Sequence, residues 1–149
     1  MVVESGTFLR DILFFIKNDF LSNITDPESG KRSNNSKFIM TSYPQRLTEY
    51  PIITIKLTNF SAKSAGMQTT AMDVIMFIEV RVWGRNEKEK DELANDCYKR
   101  LRDIQFTSGG SIANYLYDFE LLSAVEVDEP GEDQPKSRIL SIQYRFFNV

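Results

Sequence analysis

The sequence predicts a single α+β domain over residues 1–149, with about four mainly antiparallel strands and two α-helices on one face, in the order α-β-β-α-β-β. Three observations predict it. Two segments carry apolar residues at three- and four-residue spacing, as amphipathic helices do. Four segments are rich in β-branched and aromatic residues, which favour strands. The chain has 149 residues, 42% of them hydrophobic, and this is enough to bury one core without disulfides or a metal.

The first helix is predicted over residues 5–21, where Phe8, Ile12, Ile16 and Phe20 recur on one side. A flexible polar loop is expected at 22–37. Pro27 disfavours helical geometry in the residue before it, and few residues of this segment could enter a core. Residues 38–40 could begin a short edge strand.

The first full strand is predicted at residues 50–58, which are rich in isoleucine and threonine. A second flexible loop is expected at 59–71, because these residues are small and polar. Residues 72–83 alternate most clearly, so one face of this strand is expected to be fully buried.

The second helix is predicted over residues 87–103, with Asn86 as its N-cap and an apolar stripe that includes Leu93, Cys97 and Leu101. Two further strands are predicted at 115–127 and 138–147, joined by a turn-rich hairpin loop at 128–137. We expect the last strand to lie at an edge of the sheet and to donate backbone hydrogen bonds to a neighbour.

Amino-acid composition and charge argue against several classes of function. The chain has no histidine, so a histidine-dependent triad or zinc hydrolase site is excluded. The isoelectric point is near 5.1, and residues 106–149 hold 7 acidic against 3 basic groups, which argues against phosphate backbones as the main partner. The N-terminus has no basic segment followed by an apolar one, so we expect neither a secretory signal nor a membrane segment.

The candidate chemical motifs favour structural interpretations. Residues 108–111 contain a glycine pair without the lysine of a phosphate-binding loop. Cys97 lies in the helix stripe and is expected to be buried filler. Glu79 and Glu120 could form a carboxylate pair, but are expected to face solvent or to pair with Arg81 or Arg145.

Two loop clusters are also candidates. The first is the basic cluster of the first loop, Lys31, Arg32 and Lys37, which lacks interleaved aromatic residues and is typical of a solvated loop. The second is the acidic cluster of the hairpin loop, which lacks the spacing of an EF-hand calcium site and consists of Asp128, Glu129, Glu132 and Asp133. No catalytic, cofactor or metal residue is therefore predicted.

The order and lengths of these elements resemble the tail terminator proteins, also called tail completion or tail-to-head joining proteins, of tailed bacterial and archaeal viruses. The resemblance covers nearly the whole chain. It rests on the amphipathic first helix, the Tyr-Pro-Ile-Ile strand at 50–53, the apolar strand ending in Val-Arg-Val-Trp-Gly at 80–84, the charged helix with Leu93, Ala94, Tyr98 and Leu101, and the closing hairpin.

The resemblance implies a virion structural protein without catalytic activity, assembled in the host cytoplasm. It would form a ring, commonly a hexamer, that caps the tail tube and contacts head–tail connector proteins, while DNA passes through the lumen without specific binding. The acidic last third of the chain would suit such a lumen. Candidate contacts with neighbouring subunits or partners are Lys31, Arg32, Lys37, Asn59, Lys63, Gly66, Gln68, Asp128, Glu129, Glu132, Asp133, Arg138 and Arg145.

Two alternatives stay open. One is another neck or tail component, such as a tail tube or head completion subunit. The other is a monomeric module that binds a small ligand or nucleic acid, for which Trp83 and Phe147 are the aromatic candidates.

Overall fold

Seven secondary-structure elements lie in the described part of the chain. The computed structural model describes residues 8–30, 38–42, 49–64, 66–68, 72–104, 116–127 and 136–148. The elements, in chain order, are α1 (Phe8–Asn23), β1 (Ile39–Met40), β2 (Ile52–Ser64), β3 (Met72–Gly84), α2 (Glu87–Ile104), β4 (Leu116–Val127) and β5 (Lys136–Asn148). The predicted α+β class is confirmed.

The strands form one five-stranded sheet in the order β1-β2-β3-β5-β4. The short β1 pairs with β2 in parallel, and the other pairs are antiparallel. The sheet therefore has five strands rather than about four. The prediction that the last strand lies at an edge is wrong, because β5 pairs with β3 on one side and with β4 on the other.

Both helices pack against the same face of the sheet. On β3 this face carries Val74, Met76, Ile78, Val80 and Val82, which are all buried. The buried residues of β2, β5 and the two helices join them in one hydrophobic cluster, which includes Ile12, Ile16, Phe20, Ile53, Ile55, Leu93, Cys97, Leu101, Leu140, Ile142 and Tyr144. We call this the helix-covered face.

The predicted boundaries need three corrections. Residues 59–64 belong to β2 instead of a flexible loop, because their backbone pairs with β3 as far as Met72 despite their polar side chains. In the predicted loop at 22–37, α1 continues to Asn23 and Ile24 is buried. In the predicted loop at 128–137, Lys136 and Ser137 are part of β5. Residues 31–37, 65, 69–71 and 128–135 lie outside the described residues.

The turn from β3 into α2 is tightly packed. The Asn86 side chain accepts a hydrogen bond of 2.9 Å from the Glu89 backbone N–H, as predicted for an N-cap. A Cβ on Gly84 would lie 2.6 Å from the backbone nitrogen of Lys90. The close approach of strand and helix therefore requires glycine at this position.

Truncating the core face of α2 tests the packing. Leu101 is fully buried, whereas the Glu92 side chain is 66% exposed. We expect Leu101→Ala to lower the free energy of unfolding by ~2 to 5 kcal/mol, and Glu92→Ala to lower it by well under ~1 kcal/mol. Urea denaturation measures both, and equal losses would contradict this orientation of α2.

A pair of glycine substitutions tests the strand–helix junction. Gly84→Ala should destabilise the fold by ~1 to 3 kcal/mol because the added methyl group would meet the α2 backbone. Gly30→Ala is the matched control, since a Cβ there has no atom within 4 Å. Thermal denaturation in which both variants match the wild type would show that the junction is looser than described.

Candidate self-association surface

The sheet face opposite the helices carries a mixed row of side chains, which we call the open face. On β3 it consists of Ile75, Phe77, Glu79, Arg81 and Trp83. The first four are half-buried and Trp83 is 7% exposed. Within the described ranges, both helices contribute to the core of the other face, so neither of them covers the open face.

A groove of about 530 Å³ lies at one end of the open face. Its lining includes Lys56, Glu79, Arg81 and Trp83. The Arg81 guanidinium lies 4.5 Å from the centre of the Trp83 ring, and its Nη2 donates a 3.1 Å hydrogen bond to the Ser137 hydroxyl. These contacts hold Trp83 within the sheet rather than presenting it as a stacking platform.

Strand β2 forms one edge of the sheet over most of its length. Strand β1 pairs only with Ile53 and Thr54, and no other described strand lies on that side of β2. Residues 58–64 are all exposed, and we call them the distal β2 edge. Thr58 marks a register shift and donates a 3.1 Å hydrogen bond to the Phe77 carbonyl.

Strand β4 forms the opposite edge, and no described strand pairs with its outer side. Four large apolar side chains on it are exposed: Tyr117 by 41%, Leu121 by 38%, Leu122 by 45% and Val125 by 55%. Unpaired edge backbone next to apolar side chains favours strand addition by another chain. We call Leu116–Val127 the β4 edge.

The β4 edge is irregular. Its register with β5 shifts between Tyr117 and Glu120 and again between Leu121 and Ser123, and Asp118 has a φ of 57°. Bulges of this kind bend an edge strand and oppose indiscriminate pairing. A partner for this edge must therefore match its shape.

A buried lysine attaches the β4 edge to α2. The Lys90 side chain is completely buried, and its Nζ contacts the Glu126 carboxylate and lies 2.6 Å from Glu87 and 3.7 Å from Asp91. Burial would lower the pKa of Lys90, but hydrogen bonds to Glu126 and Glu87 raise it overall. The lysine stays charged and holds strand and helix together.

Two predicted contact residues, both on β5, make structural ion pairs. Arg138 lies 3.2 Å from the Asp91 carboxylate and donates to the Ala124 carbonyl at 2.8 Å. Arg145 lies 2.7 Å from Asp73 and 3.8 Å from Asp118. Both arginines thus position β4 rather than standing free for a partner.

The other candidate contacts fall into two groups. Asn59 and Lys63 are exposed on the distal β2 edge, and Gly66 and Gln68 are exposed in the turn that follows. Lys31, Arg32, Lys37, Asp128, Glu129, Glu132 and Asp133 lie outside the described residues.

Sequence reasoning missed the β4 edge. The adjacent residues Leu121 and Leu122 could have indicated an exposed apolar side chain on this strand, because strand faces alternate and a single core face cannot bury both.

Among the described residues considered for catalysis, Cys97, Glu79 and Glu120 do not come together in one site, and the glycine pair at 108–111 lies outside the described residues. Cys97 is completely buried, as predicted, and burial raises the pKa of its thiol above its ordinary value. Glu79 pairs in register with Ser141 and Glu120 with Gln143, so the two glutamates lie on the open face with β5 between them. The described residues contain no group of three or more potential metal ligands.

No helix in the described part of the chain is long and apolar enough to cross a membrane. No known family model matches the chain, and no curated protein sequence is significantly similar to it.

Protonation of Glu126 tests whether its ion pair with Lys90 stabilises the fold. The hydrogen bond from Lys90 lowers the pKa of Glu126 below its ordinary value of 4.5. A carboxyl group with a lower pKa in the folded chain stabilises the fold above its unfolded pKa, and this contribution is lost as pH falls through the folded value. Glu126→Gln should therefore be less stable than wild type at about pH 7, and the difference should shrink towards about pH 3.

Urea denaturation across this pH range measures the effect. Glu92→Gln is the control, because Glu92 is 66% exposed and 3.9 Å from Lys88. A Glu126→Gln deficit that stays constant with pH would contradict the ionic role of Glu126.

Proposed function

We propose that the protein is a virion structural subunit, a tail terminator that assembles into a ring, commonly hexameric, which caps the tail tube and joins it to the head. The observation that carries the proposal is that both edges of the sheet lack a partner strand over most of their length in the described part of the chain. Edges of this kind favour association by backbone pairing.

The order of elements supports the same proposal. A helix, a strand pair, a second helix and a closing strand pair form the plan on which the resemblance to tail terminators rests, and the five-stranded sheet keeps it with one short strand added. Subunits of such a ring need two different contact surfaces, because only a heterologous contact closes around an axis. The opposite edges of one sheet are two different surfaces.

The proposal includes the lumen and the setting. DNA would pass through the ring without specific binding, since residues 106–149 hold 7 acidic against 3 basic groups, and like charge opposes adhesion. The partners would be further copies, the tail tube and the head–tail connector. Assembly would take place in the host cytoplasm.

Light scattering across a concentration series, with and without purified tail tubes, tests the proposal. We expect self-association that tube ends promote, and rings on those ends in electron micrographs. Because a ring forms from several subunits, mass action should make assembly strengthen steeply with concentration.

Two outcomes would contradict the proposal. A chain that stays monomeric at high concentration and does not bind tube ends favours the monomeric binding module, for which the groove beside Arg81 and Trp83 is the site to examine. Continuous tubes formed by the protein alone would favour a tail tube subunit.

A further inference from the structure

The two edges of the sheet carry opposite charge. The charged residue of the distal β2 edge is Lys63, which is exposed. Those of the β4 edge are Asp118, Glu120 and Glu126, also exposed, although Glu126 contacts Lys90 and Asp118 lies 3.8 Å from Arg145 within the subunit. Cross-strand pairs of opposite charge stabilise a sheet, and like charges directly opposite destabilise it. Glu120 of the β4 edge therefore complements Lys63 of the distal β2 edge, whereas two β4 edges would bring acidic side chains together.

The edges also match in length and in their unpaired backbone. The distal β2 edge spans about 23 Å at ~3.3 Å per residue, and the longer β4 edge can pair with all of it. In the described chain, neither edge has a partner strand on its outer side over this length. The residues of an edge strand have backbone N–H and C=O groups on the outer side, and these groups need hydrogen-bond partners.

Both edges contain an irregularity that selects the partner. β2 has a register shift at Thr58, and β4 has two, around Asp118 and Leu122. Bulges disfavour pairing with an arbitrary straight strand. A copy of the same chain presents the same complementary edge every time, so it is the occupant that charge and shape favour.

We propose that the β4 edge of one copy pairs with the distal β2 edge of the next copy, so that the sheet continues across the subunit contact. This inference rests on the proposed self-association and states which surfaces make it. The contact is heterologous, so each subunit uses one edge on either side, as a closed ring requires.

Two variants of the full chain, each with one edge blocked, test the inference. Asn59→Glu with Lys63→Glu places negative charge on the distal β2 edge. Leu122→Lys with Val125→Lys places lysines on the β4 edge, where lysine blocks strand addition. Each variant alone should weaken assembly at least tenfold, whereas an equimolar mixture should regain association, because the intact β4 edge of the first variant can pair with the intact distal β2 edge of the second.

Matched controls change the same residue types away from the edges. Asn95→Glu with Lys99→Glu lies on the exposed side of α2, and Leu9→Lys with Phe14→Lys replaces two side chains of α1 that are each 40% exposed. Both controls should assemble as the wild type does. Circular dichroism verifies folding, and the single substitutions Lys63→Glu and Val125→Lys replace any double variant that does not fold.

The outcomes separate this inference from the proposed function. Wild-type rings that survive both edge variants, or a β2-edge variant that dimerises alone through two β4 edges, would overturn the edge pairing and leave self-association intact. A wild type that stays monomeric with and without tail tubes would overturn the proposed function and the edge pairing with it.

Discussion

The burial of two helices against one face of a five-stranded sheet is the constraint on which the rest of the molecule depends. Residues at alternate positions of β2, β3 and β5 enter a single core with α1 and α2. Because apolar burial is the main favourable contribution to folding, the helices settle on this face. Within the described residues, neither helix covers the other face or the outer edges of the sheet.

The packing of α2 on the sheet also determines where the β4 edge lies, through the β3–α2 junction and the ion pairs of Lys90. Gly84 permits the close approach that fixes the start of α2, and Lys90 follows within the first turn. Its buried ammonium reaches Glu126 on β4, so the position of the edge strand depends on the position of the helix. Arg138 adds a second connection through Asp91. The β4 edge is thus held in a defined place although no described strand pairs with its outer side.

Much of the fold follows from local pattern. Helical spacing located α2 to within one residue, and the alternation of β3 identified its buried face, because both signals reflect burial on one side of a regular element. Residues 59–64 were wrongly predicted as a loop because their side chains are polar. Side-chain composition carries no information on backbone pairing, which here is with β3. The interior position of β5 was missed for a related reason, since strand order depends on contacts distant in sequence.

The candidate surface was less accessible to prediction than the fold. Loop composition suggested polar contact residues, yet Arg138 and Arg145 make ion pairs within the subunit. The apolar residues of β4 gave only a weak signal, because whether they are covered depends on tertiary packing. Exposure and sheet position together identify them, and both require the structure.

Hydrogen exchange, compared between free and assembled protein, tests the central claim that sheet edges join the subunits. If the edges join the subunits, assembly should slow exchange of backbone amides in Leu116–Val127 and in residues 58–64, while the amides of α1 and α2 change little. New protection confined to the helices, with both edges unchanged, would contradict it.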